Sequence, residues 1–344
     1  LDREGSKETH KFLPSWLKEH FKEVNRLRNI DMKPKIIVIG SLNIDLIVRS
    51  PHIPAPGETV LGSSFATAGG GKGANQAVAA ARLGAQVSMV GRVGADNYGS
   101  TLLAGLKSDG VDTRFVQQDP EHPTGLALIT VDDQGENSIV VVSGANWQVS
   151  KMDIDRAADE IANADVLVLQ LEIPLECCDY AASLAHRCHV PVILNPAPAR
   201  ALPASLLQHV SYLAPNESET TLLSGIAVSD LHTAQQAIER IHQLGIDTVV
   251  MTRGSQGAYV SAPSGSFAVP AFQVDPVDTT AAGDAFVAGL AFGIAKKQPL
   301  KQAVRLAAAA GALATTKAGA QPSLPHMAQV KPLLDCQPSS ANST

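Results

Sequence analysis

From Lys35 onward, short apolar runs without polar alternation are separated by segments of helical period, and this order leaves few architectures open. Residues 36–40 form a β-branched run, 73–83 read as a helix, 86–91 as a strand and 98–109 as a helix. Further strands follow at 166–171, 190–195, 212–215 and 248–252, with helical segments between them. A strand that is apolar on both faces is covered on both faces. The pattern therefore predicts an α/β fold, a three-layer α/β/α sandwich whose central sheet is mostly parallel. Two regions break the rhythm: 46–50 with 58–66, and 125–131 with 138–142. Their alternating polarity predicts hairpin-like strands in a small antiparallel sheet spanning about 43–66 and 124–143, placed to act as a β lid.

Composition narrows the class of function. The 344 residues are 45% hydrophobic and 17% charged, which excludes a disordered acidic chain, a collagen-like repeat and a coiled coil. A net charge of −6 without a basic stripe gives no footprint for nucleic acid, which is not expected as a partner. Cys177, Cys178, Cys188 and Cys336 contain no CxxC pair, so a reducing, cytoplasmic setting is expected. His186, Cys188 and His189 read as a helix end, not as metal ligands, and no transition metal is expected. No apolar run approaches the roughly 20 residues that cross a bilayer, and 303–314 is too short, so no membrane partner is expected.

Residues 1–34 are charge-rich, with Trp16, Leu17, His20, Phe21, Val24 and Leu27 near one helical face. They read as an N-terminal helical extension or a segment added ahead of a native start at Met32, and their acids argue against a targeting peptide. The main domain is expected over 35–335, and a flexible tail over 336–344.

Among nucleotide motifs, GxxxxGK followed by Ser or Thr is absent, because Gly71-Lys72 precedes Gly73. No GxGxxG follows the first strand, which continues as Gly40-Ser41-Leu42-Asn43, and GxSxG is missing. Instead, residues 69–77 read GGGKGANQA, a side-chain-free loop entering a helix. Such a loop lets backbone N–H groups approach a ligand, while Lys72 and Asn75 supply hydrogen bonds to hydroxyls; a tight turn with a solvated lysine is the alternative. Residues 278–286 read DTTAAGDAF, in which Ala281, Ala282 and Gly283 at a helix start offer N–H groups to an anion. Asp284 then stands where a nucleophilic hydroxyl needs a base, the arrangement of phosphoryl transfer; a capped helix start, worth about 1 kcal/mol, is the alternative. After the strand at 212–215, Asn216 to Glu219 suits Mg²⁺ held through waters, or simply a capped helix. Residues 252–257 suit a triphosphate or a plain hairpin.

Taken in this order, the segments resemble the phosphofructokinase-B-type carbohydrate kinases, in their ribokinase branch, over about residues 35–335. The resemblance rests on GGGKGANQA and DTTAAGDAF as a pair, and on the opening Gly40-Ser41-Leu42-Asn43-Ile44-Asp45. It implies a ribokinase-like fold and ATP-dependent phosphorylation of D-ribose at its 5-hydroxyl, as in ribose catabolism. It implies sugar contacts at Asn43, Asp45, Gly71, Lys72, Gly73, Ala74, Asn75, Glu172 and Asp284, with Asp284 as general base and Ala281 to Gly283 as anion hole. Deoxyribokinases tend to carry Met in place of that Asn, so Asn43 favours ribose. Nucleotide contacts are implied at Asn216, Thr252, Arg253, Gly254, Ser255, Gln256, Gly257, Gly283 and Asp284, and an indirect hold on Mg²⁺ at Glu219. An activating K⁺ is implied at Asp278, Thr280, Ala314, Lys317, Gly319 and Ser323, and a homodimer through the lid sheets. The chain departs from some relatives at Ala308, where they place a polar residue beside adenine. A deoxyribokinase, fructokinase or adenosine kinase is the alternative within enzymes, and a non-catalytic sugar-sensing regulator the alternative outside them.

Overall fold

The structure is a computed structural model that describes residues 33–336. The helical face expected at Trp16 to Leu27 and the tail from 337 lie outside them. The strands are β1 Lys35–Ile39, β2 Asn43–Arg49, β3 Ser64–Gly70, β4 Gln86–Gly94, β5 Asp112–Asp119, β6 Gly125–Val131, β7 Asn137–Val142, β8 Val166–Leu169, β9 Val192–Leu194, β10 Tyr212–Leu213, β11 Val249–Thr252, β12 Ala258–Ala262 and β13 Gly265–Val269. The principal helices are α1 Lys72–Arg82, α2 Asn97–Ser108, α3 Leu175–Arg187, α4 Glu217–Ser224, α5 Leu231–His242, α6 Ala282–Ala295, α7 Leu300–Ala314 and α8 Met327–Cys336.

A nine-stranded sheet runs in the order β13-β12-β11-β10-β9-β8-β1-β4-β5. It is parallel except at its β11–β12–β13 edge. Strand β1 explains why the sheet is covered twice. Its successive side chains point to opposite faces, and Ile36 and Val38 join one core while Ile37 and Ile39 join the other. All four are essentially inaccessible, each contributing roughly 1.5–3 kcal/mol by leaving water. Helices α1, α6 and α7 pack on the first face, and α3 and α5 on the second.

The small sheet runs β3-β2-β6-β7. Its two outer pairings are antiparallel and its central β2–β6 pairing is parallel, so two hairpin-like ribbons lie side by side. The strand expected at 58–66 begins later, at Ser64, and continues to Gly70. Gly57 takes φ +84° and the Glu58 amide closes a turn onto Ala55 O, which keeps the preceding segment out of the ladder. The hairpin β12–β13 and the edge strand β5 have no counterpart among the expected elements.

Helix α6 is buried on nearly all sides and crosses α7 closely. A Cβ at Gly289 would come within 2.7 Å of the Ala307 Cα, and one at Gly293 within 2.6 Å of the Ala303 Cα. The small residues of 303–314, too few to span a bilayer, thus let two helices meet backbone to backbone and fix the α6 N-terminus against the sheet. Among the described residues, no helix is long and apolar enough to cross a membrane.

Candidate active site

Beyond β1 the chain turns out of the large sheet into β2 of the small one, while β4 and β8 flank β1 on either side. Connections that part at one strand leave a crevice past the strand ends, where α/β folds take ligands. Asn43 and Asp45 enter this crevice from β2, both buried. Asn43 Oδ1 accepts a hydrogen bond from Asn146 Nδ2 at 2.7 Å, and Asn146 is itself locked to the Leu42 N–H (2.8 Å) and carbonyl (3.1 Å). The Asn43 amide nitrogen donates to no other described residue. The Asp45 carboxylate accepts no hydrogen bond from another described residue, and Gly70 beside it leaves the space that a Cβ would take. Burial, reinforced by the Glu172 and Asp284 carboxylates, pushes Asp45 up to about 7.

The glycine loop reaches the same place by backbone packing. Gly71 takes φ +85°, and a Cβ there would lie 2.7 Å from the Asn43 nitrogen; at Gly73 it would lie 2.6 Å from the Ser41 nitrogen. Only glycines permit that approach. Ala74 N–H donates to the Ser41 carbonyl at 2.9 Å. The Glu172 carboxylate, just past β8, accepts from Ser41 Oγ and from the Lys72 N–H at 3.1 Å, tying loop to strand. Asn75 Oδ1 is buried without a partner. A site left with spare amide donors, an unpaired carboxylate and a lysine suits a ligand with several hydroxyls.

Asp284 lies in the first turn of α6, buried. Its Oδ2 accepts from Asn75 Nδ2 at 2.8 Å and its Oδ1 from Gln76 Nε2 at 3.0 Å. Burial raises its pKa above the usual carboxylate value, although Lys72 and the two amides pull the other way. Burial also presses on Lys72, yet the Asp284, Glu172 and Glu219 carboxylates outweigh it and hold the ammonium above the usual lysine value. The Ala282 N–H closes a turn onto the Thr279 carbonyl at 3.2 Å, whereas those of Gly283 and Asp284 meet no acceptor among the described residues. Of the three helix-start amides expected to form an anion hole, only that of Ala282 is engaged; those of Ala281 and Gly283 meet no acceptor among the described residues.

Two joined clefts meet at these groups. A polar one of about 200 Å³ is lined by Lys72, Asn195, Asn216, Glu219, Thr280, Gly283 and Asp284. A larger one of about 620 Å³ shares Asn216, Thr252 and Gly283 with it and is walled by Phe272, Val274, Pro276, Phe286, Ala308 and Ala312. Gly254, Ser255 and Gly257 line the larger cleft, but Arg253 and Gln256 do not. The Arg253 side chain instead donates to Glu217 at 3.2 Å, and the Gln256 N–H closes a turn onto Arg253. Glu219 and Asn216 form a reciprocal cap at the start of α4, with the Asn216 N–H donating to Glu219 at 2.8 Å. Glu219 remains on the polar cleft wall, and burial raises its pKa.

Of the residues expected around a monovalent cation, Asp278, Thr280 and Gly319 are joined by hydrogen bonds. Asp278 accepts from the Thr280 N–H and hydroxyl on one oxygen and from the Gly319 N–H on the other, at 2.8 Å. Ser323 is buried with its hydroxyl on the Ala320 carbonyl, and Ala314 is buried. Lys317 lies exposed in the same loop. Asn146, Gln76, Gln170 and Asn195 escaped sequence reasoning, although Gln76 stands inside a quoted motif.

A profile of pfkB family carbohydrate kinases matches residues 33–327. The chain belongs to that family. As a pfkB-family carbohydrate kinase it is 43% identical over 300 residues to a ribokinase of Bacillus subtilis, covering 87% of this chain and 99% of the relative. It is 37% identical over 295 residues to a deoxyribokinase of Salmonella typhi, covering 86% and 96%. Among solved structures, an Arabidopsis thaliana ribokinase complexed with ribose and ATP superposes with a TM-score of 0.82 at 33% identity, covering 88% of this chain and 99% of that one. The three-layer sandwich with its small second sheet is the ribokinase-like fold.

Proposed function

We propose that this pfkB-family kinase is a ribokinase, transferring the γ-phosphoryl group of ATP to the 5-hydroxyl of D-ribose to give D-ribose 5-phosphate and ADP. The observation that carries the reading is the Asp284 carboxylate, buried at the meeting of the polar and apolar clefts with a lysine and a free helix-start amide beside it. Asn43, Asp45, Lys72 and Asn75 would hold sugar hydroxyls, and Glu172, with one oxygen tied to Ser41 and Lys72, would set the loop that carries them. The larger, apolar cleft would take the adenine, and Thr252, Gly254 and Gly257 the phosphates. Asp284, its pKa raised by burial against the opposing pull of Lys72, accepts the hydroxyl proton as the hydroxyl attacks, while the Gly283 N–H meets charge on the phosphoryl oxygens.

Mg²⁺ accompanies ATP and neutralises charge on its phosphates; Glu219, an ionisable oxygen donor on the cleft wall, suits an indirect hold on it. K⁺ would sit against Asp278, Thr280, Ala314, Lys317, Gly319 and Ser323, mostly on carbonyl oxygens, with Asp278 bracing the two loops. The small sheet exposes Phe65, Leu128, Val140 and Val142 on one face and Ile139 and Val141 on the other, with β3 and β7 as open edges. A second copy of the chain pairing lid to lid would cover them. The catalytic unit is taken as 35–335.

A deoxyribokinase is the second reading, favoured by the Salmonella relative. Acceptor-dependent ADP release, measured with ribose, deoxyribose, fructose and adenosine, decides between them. A kcat/KM preference for ribose of about tenfold or more, roughly 1.4 kcal/mol, supports the ribokinase reading, and a preference for another acceptor overturns it.

A further inference from the structure

Gln76 lies one residue beyond the groups expected to touch sugar, and its side chain points into a buried row of amides instead of the cleft. Its Nε2 donates to Asp284 Oδ1 at 3.0 Å and to Asn195 Oδ1 at 3.2 Å. Its Oε1 accepts from Gln170 Nε2 at 2.6 Å. Asn195 is anchored in turn, its Nδ2 donating to the Ala214 carbonyl at 3.1 Å. Gln76 and Gln170 are inaccessible to water. Gln170 is wedged against Gly40, where any Cβ would overlap its Oε1.

The direction of this row follows from chemistry. An ionised carboxylate only accepts, so Gln76 must turn its NH₂ toward Asp284; its oxygen then faces Gln170, which must donate. Four elements contribute: Gln76 from α1, Gln170 following β8, Asn195 following β9 and Asp284 from α6. Each is fixed by the sheet or by close helix packing, so the row is rigid. Asn75 holds the other Asp284 oxygen, but its own Oδ1 is buried without a partner and so is open to a ligand, whereas both ends of the Gln76 amide are engaged.

We propose that Gln76 is a positioning residue, which holds the Asp284 carboxylate in the orientation for taking the acceptor hydroxyl's proton, and that Gln170 sets which end of the Gln76 amide faces Asp284. The proposal rests on the phosphotransferase reading of the Asp284 site. Its role is distinct from packing, because an apolar side chain of similar size would fill the space and leave Asp284 free to turn. The charged groups around Asp284 are Lys72 from α1, Glu172 following β8, Glu219 from α4 and Asp45 from β2, and none of them hydrogen-bonds to the Gln76 side chain.

The test compares wild type with Gln76→Leu and Gln170→Leu. Steady-state kinetics should show kcat at pH 7 lowered at least tenfold in Gln76→Leu and about threefold in Gln170→Leu, with KM for ATP changed less than threefold. The acid limb of kcat against pH should move upward in Gln76→Leu, since the lost donor favoured the ionised carboxylate. In parallel, NMR titration of carboxyl-¹³C-aspartate in the proteins without substrate should show the Asp284 midpoint raised in Gln76→Leu. That titration is independent of the acceptor, so absence of ribose turnover in wild type would refute the ribokinase reading while the Asp284 shift still judged Gln76. An unchanged acid limb and an unchanged Asp284 midpoint would overturn the proposal. If Gln76→Leu does not fold, Gln170→Leu decides by the same two readouts.

Discussion

Asn75 and Asp284, 209 positions apart in the chain, are joined by a hydrogen bond of 2.8 Å from Asn75 Nδ2 to Asp284 Oδ2. This contact brings the glycine-loop helix and the start of α6 to one point. It also makes the carboxylate's environment depend on both motifs at once. Replacing Asp284 with Asn keeps the shape and removes the acceptor for a proton, so kcat should fall by about 10²- to 10⁴-fold. Calorimetric titration with ADP should give an affinity within about threefold of wild type, because the apolar cleft is untouched.

Asn146 should matter for sugar and not for nucleotide. It orients Asn43 through a 2.7 Å hydrogen bond and satisfies both backbone groups of Leu42. Asn146→Ala should raise KM for ribose about tenfold with KM for ATP nearly unchanged. The unsatisfied Leu42 groups should also cost about 1–3 kcal/mol in denaturant unfolding.

Asp45 should make stability depend on pH. Its folded pKa of about 7 lies above its ordinary value of 3.8, so the folded state binds the proton more tightly. Its contribution is fully present below about pH 4 and is lost as pH rises toward 7 and beyond. In urea unfolding without sugar, Asp45→Asn should therefore be more stable than wild type at pH 8 and about equal to it at pH 4. A gain of the same size at both pH values would contradict this.

Gly70 should act on the ligand more than on the fold. A Cβ at Gly70 overlaps the end of the Asp45 side chain, which can swing aside at little cost to the core. Gly70→Ala should melt within about 3 °C of wild type, a stability change of about 1 kcal/mol or less, and raise KM for ribose at least tenfold. A large loss of melting temperature with unchanged KM would show that Gly70 serves packing alone.

The cation loops carry an expectation of their own. Asp278 joins Thr280 to Gly319, and burial notwithstanding, the hydrogen bonds from both, with Arg49 nearby, hold its pKa below the usual carboxylate value. It should stay ionised throughout the neutral range. Replacing potassium with tetramethylammonium should lower kcat several-fold, and Asp278→Asn should weaken the response to potassium.

The parts of this site that lie in short runs are legible in the sequence itself. Lys72 and Asn75 are three residues apart, and Asp284 directly follows the helix-start residues that flank it, so spacing alone places each beside its neighbours. The strands β1 and β8 are equally plain, because burial on both faces writes unbroken apolar runs. Gln170 and Asn195 carry no such signal: each is one polar residue at the end of an apolar strand, and only the order of the parallel sheet sets them both beside Gln76. Asn146 stands 103 positions from Asn43 in the chain, and no local pattern joins the two. The hairpin β12–β13 is hidden for a different reason. Its turn at Gly265 is short and polar, and it reads as a loop unless the neighbouring strand β11 is already known.

If Asp284 activates the 5-hydroxyl of ribose toward ATP, the position of the phosphoryl group in the product must show it. That position is read most directly by phosphorus-to-carbon coupling in NMR of the reaction of ATP with uniformly ¹³C-labelled ribose. Coupling of phosphorus to C5, lost in Asp284→Asn, is the predicted result. Phosphorylation at C1, or release of inorganic phosphate without a sugar phosphate, would contradict it.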